Sequence, residues 1–93
     1  MAGAGTVSAE VDGIPVCVER AALDDIEVME LLGDLSDGNP FAVTKLMVAI
    51  FGREQYSNIK RSLADESGRT SATAVIEFFG KAFPALGEAA KNS

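Results

Sequence analysis

Four oxygen-bearing side chains lie close together in the sequence, at Asp34, Ser36, Asp37 and Asn39. Such a group could bind calcium, because this hard cation takes carboxylate and amide oxygens. A calcium loop of the EF-hand type that began at Asp34 would require glycine at its sixth position and glutamate at its twelfth. The sequence places Asn39 and Lys45 there. A cation therefore stands where a bidentate carboxylate is needed, and we expect no metal site.

The adjacent acids Asp24 and Asp25 are the clearest candidates for paired catalytic carboxylates. At the start of a helix, neighbouring side chains point about 100° apart around the axis, so they do not converge on one substrate atom. A helix cap explains Asp24 without any reaction. The glycines do not form a phosphate-binding loop either, because no G-x-x-x-x-G-K-[ST] pattern is present.

The composition of the 93 residues excludes several classes of function. The chain has no histidine and one cysteine, which removes Ser-His-Asp and Cys-His nucleophile pairs, His-ligated zinc and an internal disulfide. Its 14 acidic and 8 basic side chains give a net charge of −6, which opposes binding to a phosphate backbone. We therefore expect no imidazole-based catalysis and no nucleic-acid partner.

The N-terminus lacks the basic and apolar regions of a signal peptide. The longest mostly apolar stretch, residues 41–51, is too short to cross a membrane and contains Lys45. Location in the cytoplasm, with no membrane partner, is the expectation. Cys17 lies between Val16 and Val18, and we expect its thiol to be buried as a small apolar side chain.

Charge is unevenly distributed along the chain. Residues 1–39 hold nine acids and one base, a net charge of −8, whereas residues 40–93 hold five acids and seven bases, a net charge of +2. Solvated helix faces and acids at a helix N-terminus explain part of this asymmetry. An acidic surface that meets a basic partner is the alternative interpretation.

The hydrophobic pattern predicts a mainly α fold, a small bundle of about four helices preceded by a short N-terminal β-hairpin. Alternating apolar residues on either side of Asp12-Gly13 predict the hairpin. Asp24 and Glu27 are placed to cap a first helix, with Ile26, Met29 and Leu32 on its apolar face together with three further apolar positions. These further positions are Val28, Leu31 and Leu35.

Three further helices are predicted. Asn39 and Pro40 begin a second helix whose residues 41–51 are apolar nearly all round, as in the buried central helix of a bundle. A third helix over residues 53–67 is amphipathic. Thr70 or Ser71 caps the last helix, which Pro84 should kink or end.

The resulting organisation is a single domain over residues 7–87. Small, glycine-rich residues 1–6 are expected to be disordered, and small polar residues 88–93 are expected to form a flexible tail.

A small, acidic, four-helix chain also raises the possibility of an acyl carrier protein. In such carriers the serine that bears the prosthetic group lies in an Asp-Ser-Leu motif that opens the second helix. Here Leu35 precedes Ser36 and Asp37 follows it, so the order differs. A small helical adaptor or carrier of a cellular system is kept as the alternative function.

Several motifs in order resemble the small tail assembly chaperones of long-tailed, siphovirus-like phages and prophages. They are the helix opening Asp24-Asp25, the turn Asp37-Gly38, the junction Phe51-Gly52-Arg53-Glu54-Gln55-Tyr56 and the turn Asp65-Glu66-Ser67-Gly68. The similarity covers residues 10–93 and rests on order and spacing, with no catalytic signature among the motifs.

The resemblance implies a non-enzymatic protein of the host cytoplasm that is absent from the mature virion. Such chaperones bind the long helical tape-measure protein before the tail tube polymerises around it. A longer frameshifted form recruits tail tube subunits, and the end Ala90-Lys91-Asn92 can be encoded with a slippery heptamer. Self-association into a homo-oligomer stays open at this stage.

A chaperone of this kind needs apolar surface that pairs with amphipathic helices. Phe78 and Phe79 point about 100° apart on one helix, so either Phe78 contacts a partner or the helix is buried over a wide arc. The partner-binding candidates are Phe41, Met47, Phe51, Phe78, Phe83, Asp34 and Asp37.

Overall fold

The computed structural model describes residues 5–92 and shows a two-stranded antiparallel hairpin followed by four helices. The predicted mainly α class is confirmed. The elements are β1 (Thr6–Val11), β2 (Ile14–Glu19), a 3₁₀ turn (Arg20–Asp24), α1 (Ile26–Ser36), α2 (Ala42–Phe51), α3 (Arg53–Leu63) and α4 (Ala72–Lys91).

The hairpin turns at Asp12-Gly13, as the sequence predicts. Both residues have positive φ, 53° and 79°, which gives a type I′ turn whose twist matches that of the strands. The strands pair within one chain, with Val7 opposite Val18 and Val11 opposite Ile14. Their valines form the core-facing side of the sheet.

Cys17 is exposed, and the expectation that its thiol is buried was wrong. Side chains alternate between the two faces of a strand, so the burial of Val16 and Val18 turns Cys17 to the outer face. Apolar neighbours in the sequence therefore predicted the opposite of the observed burial.

The outer edge of β2 is closed by a side chain from α3. The Gln55 Oε1 accepts a hydrogen bond from the Cys17 N–H at 2.8 Å, and its Nε2 donates to the Cys17 carbonyl at 2.8 Å. The same Nε2 donates to the Phe51 carbonyl at 3.0 Å. The amide thus takes the place of a third strand at this point of the edge, where free backbone groups would otherwise attract another chain.

Helix α1 begins one residue later than predicted. Asp25, not Asp24, is the N-cap, and its Oδ1 accepts a hydrogen bond from the Glu27 N–H at 2.8 Å. Asp24 is not the N-cap of α1 because it still belongs to the 3₁₀ turn Arg20–Asp24.

Helix α2 is the central element, packing against α1, α3, α4, β2 and the 3₁₀ turn. Its core residues include Leu46 and Met47, both with no exposed surface. Gly52, with φ of 82°, ends the helix as predicted and lets α3 begin immediately. One side of α2 stays open to solvent, at Thr44 and Lys45 and again at Ala49.

Helix α3 ends at Leu63, four residues before the predicted end. Asp65 is the reason, since its side chain organises the following turn. Its Oδ1 accepts hydrogen bonds from the Ser67 hydroxyl at 2.6 Å, the Ser67 N–H at 2.8 Å and the Arg69 N–H at 3.2 Å. These hydrogen bonds stabilise the carboxylate and hold the pKa of Asp65 below its ordinary value. The bond from the Ser67 hydroxyl has the largest effect.

Helix α4 runs through Pro84 to Lys91, so the expectation that Pro84 ends the helix was wrong. Proline removes the bond to the carbonyl four residues earlier, at Gly80. Both Gly80 and Pro84 are exposed, so water can satisfy that carbonyl.

The boundaries of the domain also differ from expectation. Residues 88–91 belong to α4 rather than to a tail, because the Arg20 Nη1 donates to the Ala90 carbonyl at 2.9 Å and Ala89 packs on the core. At the other end, Thr6 already lies in β1. The expected disorder of residues 1–4, and the end of the tail at Ser93, lie outside the described residues.

Replacing Gln55 with alanine should lower the free energy of unfolding by about 1–2 kcal/mol, because the backbone of Cys17 loses both partners and only water replaces them. Urea unfolding followed by circular dichroism measures the change. Glu54→Ala, an exposed neighbour on the same helix, is the matched control. An equal loss in both variants would contradict the edge-closing role of Gln55.

Candidate partner-binding surface

Three large apolar side chains are exposed within the described chain. Two of them lie on α1, and the third directly precedes α2. Ile26 is 70%, Met29 42% and Phe41 80% exposed. The sequence placed Ile26 and Met29 on the buried face of α1, and that assignment was wrong. Helix α1 packs on α2 and the 3₁₀ turn, and this narrow contact covers Val28 but leaves the opposite side of the helix open.

The aromatic and methionine candidates divide between surface and core. Phe41 is exposed, whereas Met47, Phe51 and Phe78 are 0%, 7% and 1% exposed. Phe83 is half-buried. Of the five, Phe41 alone presents most of its side chain to a partner in this conformation, and contact with the three buried ones would require the core to open.

The burial of Phe78 decides between the two alternatives for the last helix. Phe78 and Phe79 are both buried, because α4 packs against β1 on one side and against α2 and α3 on the other. The ring centroids of Phe51 and Phe78 are 6.4 Å apart, a distance typical of aromatic pairs in cores. Helix α4 is therefore buried over a wide arc.

The two acidic candidates, Asp34 and Asp37, are exposed but face different environments. Asp34 lies within α1 and lines a groove toward α2 and α3. Asp37 is the C-cap of α1, where its N–H donates to the carbonyl of Gly33 at 2.9 Å. The structure therefore does not bring the two carboxylates together into one site.

The groove that contains Asp34 has a volume of about 670 Å³. Helix α2 forms its floor, and α1 and α3 form its walls. We call it the α1–α3 groove. Its lining residues are Glu27, Glu30, Leu31 and Asp34 from α1, Thr44, Lys45, Val48 and Ala49 from α2, and Arg53 and Tyr56 from α3.

Charged side chains of both signs line the α1–α3 groove. The α1 wall presents Glu27, Glu30 and Asp34, which recur at the three- and four-residue spacing of one helix face. Lys45 lies on the floor helix α2, and Arg53 lies at the start of α3. Within residues 5–92, none of these acids comes within 4 Å of either base, whereas Lys81 and Asp12 on another face do pair, at 3.0 Å.

A smaller apolar cleft of about 270 Å³ lies next to the groove and shares Thr44 and Tyr56 with it. Phe41 stands at its edge, and Val43 and Val75 line it. The Lys60 Nζ lies 4.5 Å from the centroid of the Tyr56 ring, a cation–π distance. Desolvation by burial raises the pKa of the Tyr56 phenol above its ordinary value.

Other chemistry finds no support in the described part of the chain. Among residues 5–92 no group of three or more histidine, cysteine or acidic side chains is arranged to hold a metal ion. No described helix combines the length and apolarity needed to cross a membrane. Ser36 is the last residue of α1, whereas the serine of the acyl-carrier alternative would open a helix.

The α1–α3 groove was not predicted from the sequence, although two patterns in the sequence correspond to it. Residues 27, 30 and 34 form an acidic helix face, and Thr44, Lys45, Val48 and Ala49 form the face of α2 that carries its two polar residues. Which helices flank these faces depends on the packing around α2, and no pattern along the chain contains that information.

Comparisons with protein-family models, with curated proteins and with solved structures find no match to this chain.

Replacing Phe78 with alanine should lower the free energy of unfolding by about 3–5 kcal/mol, because a large ring is removed from a closed core. Phe41→Ala is the matched control and should change it by less than about 0.5 kcal/mol, since the ring is mostly in water. Chemical denaturation of both variants measures the difference. Similar losses would show that Phe41 is packed in solution.

Proposed function

We propose that the chain is a tail assembly chaperone of a long-tailed phage or prophage, which binds the tape-measure protein in the host cytoplasm and stays out of the mature virion. It acts by binding alone, without catalysis or a cofactor. Recruitment of tail tube subunits belongs to a longer frameshifted form. The order and spacing of the motifs between residues 10 and 93 suggest the family.

The main structural observation in support of this proposal is the exposure of Ile26, Met29 and Phe41. Ile26 and Met29 lie one helical turn apart on α1, and an exposed apolar patch of neighbouring side chains is typical of a surface that a partner covers. A chaperone that keeps an unassembled helical protein in solution needs this type of surface, because amphipathic helices expose apolar faces of their own.

The charge of the same region supports the proposal. The described part of the segment before residue 40 holds nine acids, and Glu27, Glu30 and Asp34 line one wall of the groove. Acidic side chains around apolar contacts keep the free chaperone soluble and favour partners that carry basic side chains.

Co-expression with the tape-measure protein encoded by the same genome tests the proposal. We expect a soluble complex that copurifies through an affinity tag on the chaperone. The triple variant Ile26→Ser, Met29→Ser, Phe41→Ser should fold like the wild type and recover several-fold less tape-measure protein, because the apolar contacts are removed.

The matched control changes three exposed polar positions on α4 and α3, Glu77→Ser, Lys91→Ser and Glu54→Ser, and should retain binding. A wild-type chain that neither binds the tape-measure protein nor keeps it soluble would refute the proposed function.

A further inference from the structure

We infer that two copies of this chain form a weak two-fold dimer in which the Phe41 ring of each copy enters the apolar cleft of the other. The cleft is the one of about 270 Å³ that Val43, Tyr56 and Val75 line, with Phe41 at its edge. The inference concerns the free protein, so it goes beyond the proposed function and does not depend on it.

Phe41 projects from the surface at a fixed place. Its side chain is 80% exposed, yet hydrogen bonds hold the backbone around it. The Asn39 Oδ1 accepts a hydrogen bond from the Phe41 N–H at 3.2 Å, and the Thr44 hydroxyl donates to the Phe41 carbonyl at 3.0 Å. The Ala42 N–H donates to the Asn39 carbonyl at 3.1 Å. Because this backbone is already ordered, little freedom is lost when a second copy covers the ring.

The cleft has the size and the lining that a phenyl ring requires. A cavity of about 150 Å³ accommodates a benzene molecule, and the volume here is about 270 Å³. Val43 and Val75 are 2% and 5% exposed, so the inner surface of the cleft belongs to the core. Ala72, the exposed first residue of α4, has a small side chain and leaves the cleft accessible.

The positions of the ring and the cleft suit a two-fold contact. Both lie side by side on one surface, since Phe41 itself lines the cleft. A two-fold axis that passes between them in the plane of contact places each ring in the cleft of the other copy, so both contacts form together. A ring and a cleft on opposite faces would instead join copies head to tail. The contact is therefore closed and ends at two copies.

Charge decides which exposed apolar side chain a second copy can cover. Each chain carries a net charge of −6, so two copies repel each other where acids would meet. None of the described residues that line the cleft is acidic, and their one charged side chain, Lys60, lies over the Tyr56 ring. Ile26 and Met29, in contrast, alternate with acids along α1. Phe41 therefore suits a second acidic copy, whereas the α1 patch suits a basic partner.

The small area of the contact makes the dimer weak. A buried aromatic side chain covers about 150–250 Å², so two rings and the clefts that receive them bury on the order of 500–800 Å² in total. Stable interfaces bury about 1,200–2,000 Å². We therefore expect a dissociation constant of about 0.1–1 mM. A partner that binds more tightly can displace the second copy from Phe41.

Sedimentation velocity of the full chain, between about 10 µM and about 1 mM, tests the dimer. The average mass should rise with concentration from the 9.7 kDa of one chain toward twice that value. Association should strengthen in high salt, because salt screens the repulsion between two acidic chains. A mass that stays at 9.7 kDa over the whole range would refute the inference.

Substitutions on each side of the contact test the site. Phe41→Ala removes the ring, and Ala72→Trp fills the cleft from its own copy, so each should weaken association at least about tenfold. The matched control is Ile26→Ala, which removes a side chain that is 70% exposed on α1 and should associate as the wild type does. Circular dichroism verifies the fold of each variant, and Phe41→Ala suffices if Ala72→Trp fails to fold.

Isotope-filtered nuclear magnetic resonance identifies the contact directly. In a mixture of ¹³C-labelled and unlabelled chains, the Phe41 ring of one copy should contact the Val75 methyl groups of the other. Wild-type association in Phe41→Ala, an equal loss in Ile26→Ala, or contacts between copies through α1 would each refute this site. Binding of the tape-measure protein is measured separately by co-expression, so failure of the dimer leaves the proposed function standing.

Discussion

The burial of α2 is the constraint on which the other elements depend. Leu46 and Met47 are completely removed from water, and transferring such side chains out of water is worth about 1.5–3 kcal/mol each. A chain of 93 residues has few residues with which to cover a central helix. The hairpin, the 3₁₀ turn and the three other helices are all used for this purpose, and each packs against α2 or against an element that does.

Because few residues are available to cover α2, some apolar and charged surface stays exposed to solvent. Helix α4 covers the core with a wide arc because it is long and packs against both the hairpin and the helices. Helix α1 covers α2 from one side, so Ile26 and Met29 stay in water. The side of α2 between α1 and α3 is not covered at all, and the result is the α1–α3 groove.

The hairpin is stabilised by the same packing. A two-stranded sheet is marginal in water by itself, and here its valine face lies on the core. Gln55 connects α3 to the outer edge of β2, and Lys81 of α4 pairs with Asp12 at the hairpin turn. The two strands of the hairpin pair with each other within one chain.

The sequence by itself determined the elements whose causes are local. Asp12-Gly13 adopts the positive φ values of a type I′ turn, Ser71 caps α4 and Gly52 ends α2, because turn and cap chemistry acts between residues a few positions apart. The buried central position of residues 42–51 also followed from their apolarity. For these features the pattern along the chain contains the physical cause.

Tertiary structure alone decided which apolar faces are covered. Ile26 and Met29 have the spacing of a buried stripe yet are exposed, and Cys17 is exposed between two buried valines. The last turn of α4 contacts a residue far away in the sequence, since the guanidinium of Arg20 donates to the Ala90 carbonyl. Burial is a property of what packs on a face, and neighbours that are distant along the chain supply that packing. The groove exists for the same reason, since it combines faces of three helices that meet only in the folded chain.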